Sequence, residues 1–235
     1  MKILLFDIDG TLILSGGAGD RSLTKAFERL YGLQKAMEGI KPAGKTDPAI
    51  VREIFVRKLN IEPTDEQIKE VLDVYAECLV DEVKNSKGYR VLPGVHELLE
   101  KLDGDRDFLL GLATGNIERG ARIKLSRADL WRYFSFGGFG SDSEERGVIV
   151  RMAVERGLKL ADYDPELVAV IGDTPRDIKA AHDAGVFAVG VATGPYSVDE
   201  LYDSGAEIAF EDLSDLGDFY EKIEALSEKW QKTRS

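Results

Sequence analysis

Cysteine occurs once in this chain, as Cys78, which excludes an internal disulfide framework and suits a reducing compartment. Histidine occurs twice, as His96 and His182, and neither has a partner at a metal-ligand spacing. Long apolar runs are also missing. Asp7 and Asp9 interrupt the N-terminal run after Phe6, far short of a signal core or a membrane span. Positive charge is in deficit, with 31 Lys and Arg against 43 Asp and Glu and a net charge of −12. Non-specific binding to nucleic acid or to an anionic membrane needs a basic surface, so neither is expected as a partner. Seven prolines and no biased tract argue against disorder. The expectation is a cytoplasmic protein, a monomer or small homo-oligomer.

What is present is ample for a packed core: 235 residues, 43% of them hydrophobic. Short apolar runs at 3–6, 108–113, 133–136, 168–171 and 187–191, with a weaker one near Ile208, read as buried strands. Between them, helical periods cover 95–102, 117–127, 148–157 and 177–184. Continuous apolar strands alternating with helices predict an α/β fold, a doubly wound, Rossmann-like parallel sheet. Residues 16–88 break that rhythm. They carry no buried-strand pattern and read as helices over 20–31, 48–58 and 65–85, bounded by Ser15-Gly16-Gly17-Ala18-Gly19 and Asn85-Ser86-Lys87-Gly88. The expected organisation is an α/β core of residues 1–15 and 89–235 with a small α-helical domain inserted over 16–88, the two crossings acting as a paired hinge.

The chemistry concentrates where strands end. Phe6-Asp7-Ile8-Asp9-Gly10-Thr11-Leu12 follows the first strand, so Asp7 emerges at the carboxyl edge of the sheet, where open α/β folds hold ligands. Two carboxylates this close repel unless a cation or proton intervenes. A second acidic cluster, Gly172-Asp173-Thr174-Pro175-Arg176-Asp177, follows another buried strand. Asp173 alone reads equally well as a helix cap, but two strand-end acidic clusters favour a shared hard-cation site. Oxygen-only donors favour magnesium over zinc. A third strand ends at Thr114-Gly115-Asn116, a hydroxyl, a flexible backbone and an amide suited to cradling phosphate, and also ordinary turn chemistry.

In this order the three pieces resemble the haloacid dehalogenase-like hydrolase superfamily, in its phosphoglycolate phosphatase-like branch. Asp7, Asp9 and Thr11 match its Asp-x-Asp-x-Thr motif, Thr114 its second motif, and Asp173 and Asp177 its acidic fourth motif. The helical insertion is similar to the cap that this superfamily places after its first motif. The resemblance implies a magnesium-dependent phosphatase acting on a small phosphorylated metabolite, with Asp7 as nucleophile and Asp9 as acid and base. It implies Mg2+ held by Asp7, the Asp9 backbone carbonyl and Asp173, with Asp177 in support. Thr114 and a basic residue would bind the phosphate oxygens, and Thr11, Gly115 and Asn116 would line the substrate site. Arg146 occupies the place of the basic residue. Lys124 competes, but it lies roughly 12 Å along its helix from Asn116, a long reach for a lysine. Lys45, in Gly44-Lys45-Thr46-Asp47-Pro48, could meet the leaving group, while Thr46 reads as a helix cap. A phosphomutase, a phosphonate hydrolase using a cap lysine, and a non-catalytic phosphometabolite-binding regulator are the rival readings.

Overall fold

The computed structural model describes residues 1–161 and 163–234; Asp162 and Ser235, both within the range expected for the core, lie outside the described residues. Its strands are β1 (Lys2–Phe6), β2 (Ile13–Leu14), β3 (Arg90–Val91), β4 (Phe108–Ala113), β5 (Phe136–Gly138), β6 (Leu167–Gly172), β7 (Phe187–Val191) and β8 (Ile208–Phe210). Six of them form one sheet in the order β5-β4-β1-β6-β7-β8, and every neighbouring pair is parallel. Side chains along a strand point alternately to opposite faces, and all five residues of β1 are buried. Both faces of the sheet centre are therefore covered, which explains the continuous apolar runs.

The helices are α1 (Ala18–Tyr31), α2 (Asp47–Ile54), α3 (Asp65–Asn85), α4 (Val95–Asp103), α5 (Glu118–Ser126), α6 (Arg146–Leu160), α7 (Pro175–Asp183), α8 (Val198–Asp203) and α9 (Leu216–Arg234). Local chemistry starts several of them. Thr64 with Gln67, and Thr174 with Asp177, form reciprocal caps in front of α3 and α7. Helices α4, α6, α7, α8 and α9 pack on the sheet.

Helices α1 to α3, with a π-helical turn at Phe55–Leu59, enclose a second apolar cluster around Phe27, Val51, Phe55, Val71 and Leu79. The chain enters and leaves this group side by side. Strands β2 and β3 pair there, Ile13 with Val91 and Leu14 with Arg90, and Ser86 Oγ donates to the Ser15 carbonyl at 2.8 Å. This small antiparallel ladder is not evident in the sequence pattern.

The strand expected at 133–136 is corrected. Trp131–Tyr133 is a 3-10 turn, and the edge strand is Phe136–Gly138. An apolar aromatic run cannot by itself distinguish strand from packed turn. Here Tyr133 and Phe134 are buried as packing residues, while Phe136-Gly137-Gly138 supplies the backbone that pairs with 111–113. Helices α8 and α9, outside the expected set, complete the C-terminal third.

Candidate active site

Parallel pairing brings the ends of β1, β4 and β6 to one edge, with β1 between the other two. The chain passes from β1 to β4 on one side and joins β6 on the other, and the crevice at such a switch point is where open sheets bind ligands. Asp7, Thr114 and Asp173 each stand directly after one of these strands. The turn after β1 is tight: the N–H groups of Leu12 and Ile13 both donate to the Ile8 carbonyl. Gly10 sits in it at φ +89°, and a Cβ there would lie 2.2 Å from Asp173 Oδ2, so both backbone and space call for glycine.

Asp7, Asp173 and Asp177 are all buried, and one carboxylate oxygen from each lies within 4.8 Å of the others. Burial is the main reason that the Asp7 carboxyl is pushed up to about 7; Arg146 opposes the shift, while Asp177 and Asp9 add to it. Burial, then Asp177 and Asp7, push Asp173 up to about 9. Three crowded carboxylates of this kind call for a compensating cation. Their all-oxygen donors, with neither histidine nearby, fit a magnesium-type ion. Asp177 also accepts from the Thr174 N–H and hydroxyl, which fixes its carboxylate at the start of α7.

Arg146, the first residue of α6, contacts Asp177 and lies 3.7 Å from Asp7 Oδ1. Lys124 also arrives, contrary to the reach expected of it. Its Nζ donates to Asp9 Oδ2 at 2.6 Å and to Asn116 Oδ1 at 2.6 Å. Helix side chains lean back toward the N-terminus, so a lysine near the end of a helix covers the turn before it. The Asn116 amide meets the lysine from the loop side. The two cations therefore serve different carboxylates, Arg146 at Asp177 and Asp7 and Lys124 at Asp9.

Asn116 ties the edge together, its Nδ2 donating to Asp9 Oδ2 at 2.9 Å and to Thr114 Oγ1 at 2.9 Å. Thr11, expected at the substrate, is fully buried, and its hydroxyl donates to Asp173 Oδ1 at 3.3 Å. The turn at Gly10 points residue 11 inward, where it holds the acidic cluster instead of lining the cleft. Gly115, Asn116 and Lys45 do line the cleft, but the Lys45 ammonium is engaged by Glu53.

The cleft, about 930 Å³, runs from Asp7, Asp9 and Asp173 to a wall of Leu23, Ile40, Ile50 and Tyr75. Thr46 caps α2 through the Ala49 N–H at 3.3 Å and also donates to the Glu144 carbonyl at 3.2 Å. Asp47 was missed by sequence reasoning. Its N–H donates to the Gly115 carbonyl at 2.8 Å, and its Oδ2 accepts from the Ile117 N–H at 2.8 Å. Placed in a Thr-Asp-Pro helix start, it carries no local signal of a long-range bond.

Residues 4–191 match the haloacid dehalogenase-like hydrolases. The chain belongs to that family. Among curated relatives of this hydrolase, the probable phosphatase IndB of Dickeya dadantii is 25% identical over 222 residues, 91% of each chain. The phosphoglycolate phosphatase of Synechococcus elongatus is 25% identical over 200 residues, 83% of this chain and 85% of its own. A crystal structure of a hydrolase from Pseudomonas syringae superimposes with a TM-score of 0.72 at 25% identity, covering 95% of this chain and 99% of that one. CbbY from Rhodobacter sphaeroides, crystallised with phosphate, shares the fold with a TM-score of 0.68 at 18% identity over 92% of this chain and 96% of its own. Among the described residues of the hydrolase, no helix is long and apolar enough to cross a membrane.

Proposed function

We propose that this hydrolase is a magnesium-dependent phosphatase that cleaves a small phosphate monoester through an aspartyl-phosphate intermediate on Asp7. The observation that carries the reading is the buried Asp7, Asp173 and Asp177 cluster beside a separately held Asp9. Magnesium would be held by Asp7, Asp173 and the Asp9 backbone carbonyl, with Asp177 supporting, and would neutralise charge between nucleophile and phosphate.

In the first step an Asp7 oxygen attacks phosphorus, the bond from phosphorus to the ester oxygen breaks, and Asp9 protonates the departing oxygen. In the second, water attacks phosphorus, Asp9 takes its proton, and the bond to Asp7 breaks. Arg146, beside Asp7, and Thr114 bind the phosphate oxygens, where charge collects in the transition state. Gly115 and Asn116 shape the rest of the phosphate loop. The division into a core of residues 1–15 and 89–235 and a cap over 16–88 belongs to the same reading, supported by the two apolar clusters and the paired crossings. Lys45 would meet the leaving group only by exchanging Glu53 for it. The phosphatase names of the relatives support a small phosphorylated metabolite as substrate. The proposed setting is the reducing cytoplasm, which the free Cys78 fits.

Phosphate release from p-nitrophenyl phosphate, with magnesium and with a chelator, tests this. Turnover should require the metal, and Asp7→Asn should lower kcat by at least about a thousandfold, as loss of a nucleophile does. Absence of metal-dependent release across a broad panel of phosphate esters sinks the proposal.

A further inference from the structure

Lys124 lies outside the residues that the proposed chemistry uses, yet it is buried against the acid–base carboxylate Asp9. It is 4% exposed, and burying an ammonium is costly unless it is paired and hydrogen-bonded. Burial works against its charge, and the Asp9 and Asp47 carboxylates outweigh that effect. Its backbone is fixed as well: Tyr89, on the return crossing beside β3, donates from its hydroxyl to the Lys124 carbonyl at 2.8 Å.

Asp9, by contrast, needs holding. Its side chain is 38% exposed on the cleft, where a short carboxylate has several rotamers open to it. Lys124 Nζ and Asn116 Nδ2 both donate to the same oxygen, Oδ2. The other oxygen, Oδ1, has no hydrogen-bond partner among the described residues. Because Lys124 also donates to Asn116, the three side chains form a closed triangle, and Asn116 extends it to Thr114. Two donors on one oxygen leave the second oxygen aimed and available.

We propose that Lys124 is a positioning residue for acid–base transfer, clamping Asp9 by Oδ2 so that Oδ1 delivers the proton to the leaving oxygen. This rests on the phosphatase reading above. It separates Lys124 from Arg146: the arginine acts at the nucleophile and the phosphate, the lysine at the proton.

The role has a signature that mere structural support lacks. Protonation matters most when the departing oxygen is strongly basic, as in an alkyl phosphate, and least for nitrophenolate. The value of kcat/KM reports the steps up to departure of the leaving group. Full-length wild type, Lys124→Met, Lys124→Arg and Asn116→Ala are assayed with magnesium on glycerol phosphate and on p-nitrophenyl phosphate, with thermal melts as a folding control. In Lys124→Met the ratio of kcat/KM for the alkyl ester over the aryl ester should fall about tenfold or more, within the range that acid–base catalysis supplies. Lys124→Arg should restore part of the ratio, and Asn116→Ala should lower it less. An equal fall for both esters, or an unchanged ratio in every variant that folds, overturns the proposal while leaving the phosphatase reading intact. Wild type that releases no phosphate from either ester, nor from any ester of the broad panel above, overturns both.

Discussion

Asp173 shows how tightly single residues are fitted at this edge. Gly10 and Gly194 both lie against its carboxylate, and at Gly194 a Cβ would come within 1.8 Å of Oδ2. Thr193, next to that glycine, donates to the Gly10 carbonyl at 2.5 Å, so the two loops are tied. Gly194→Ala should push Asp173 off its position. The magnesium concentration giving half-maximal activity should rise about tenfold or more, as when the support of a metal ligand is lost, and a magnesium titration of phosphate release measures it. At this scale the acidic residues were legible in the sequence, because a carboxylate after an apolar strand stands out. Lys124, Thr11 and Asp47 were misplaced or missed. Which way a side chain leaves its backbone depends on the turn or helix around it, and a spacing rule along an axis ignores that tilt.

Among elements, the junction of α2 with α5 is the most revealing. Asp47, at the first turn of α2, caps the start of α5 instead of its own helix. Burial pushes its carboxyl up to about 6, against the pull of Lys124 and of the Ile117 N–H. The folded state therefore holds the proton more tightly than the unfolded chain, whose value is near 3.8. The stability from this group is full below about pH 4 and is lost as pH rises through about 6. Asp47→Asn keeps an acceptor for Ile117 and removes the titration. Urea unfolding between pH 4 and 7 should show the wild type losing about 2–3 kcal/mol more than the variant across that window. Most elements were readable from period and caps, with ends shifted by a few residues. The exceptions were β5, whose pairing is decided by a neighbouring strand, the two-residue strands β2 and β3, too short to show a period, and the helices α8 and α9.

Over the whole molecule, the helical group is bonded to the sheet body across the cleft by Thr46 and Asp47 as well as by Arg52. The guanidinium of Arg52, on α2, donates to both oxygens of Glu144 at 2.9–3.2 Å, just before α6. The pair is partly exposed, so its worth to stability is small. Under the proposed core-and-cap division it would matter more to closure over a substrate, because it joins the helical group to the segment carrying Arg146. Arg52→Ala should leave the melting temperature within a degree or two and raise KM roughly three- to tenfold, as read from steady-state kinetics. An unchanged KM would mean that closure does not use this contact.

From its own order of residues the chain determined that it would build a parallel α/β sheet, where that sheet's strands end, and that carboxylates crowd there. Those features follow from burial and from local backbone preference, which neighbours in sequence settle between them. Tertiary structure alone decided which cation serves which carboxylate. It also turned Thr11 inward and brought Asp47 to a helix seventy residues away. These outcomes depend on how strands and helices dock, and a bond between distant residues exists only once the fold has closed the distance.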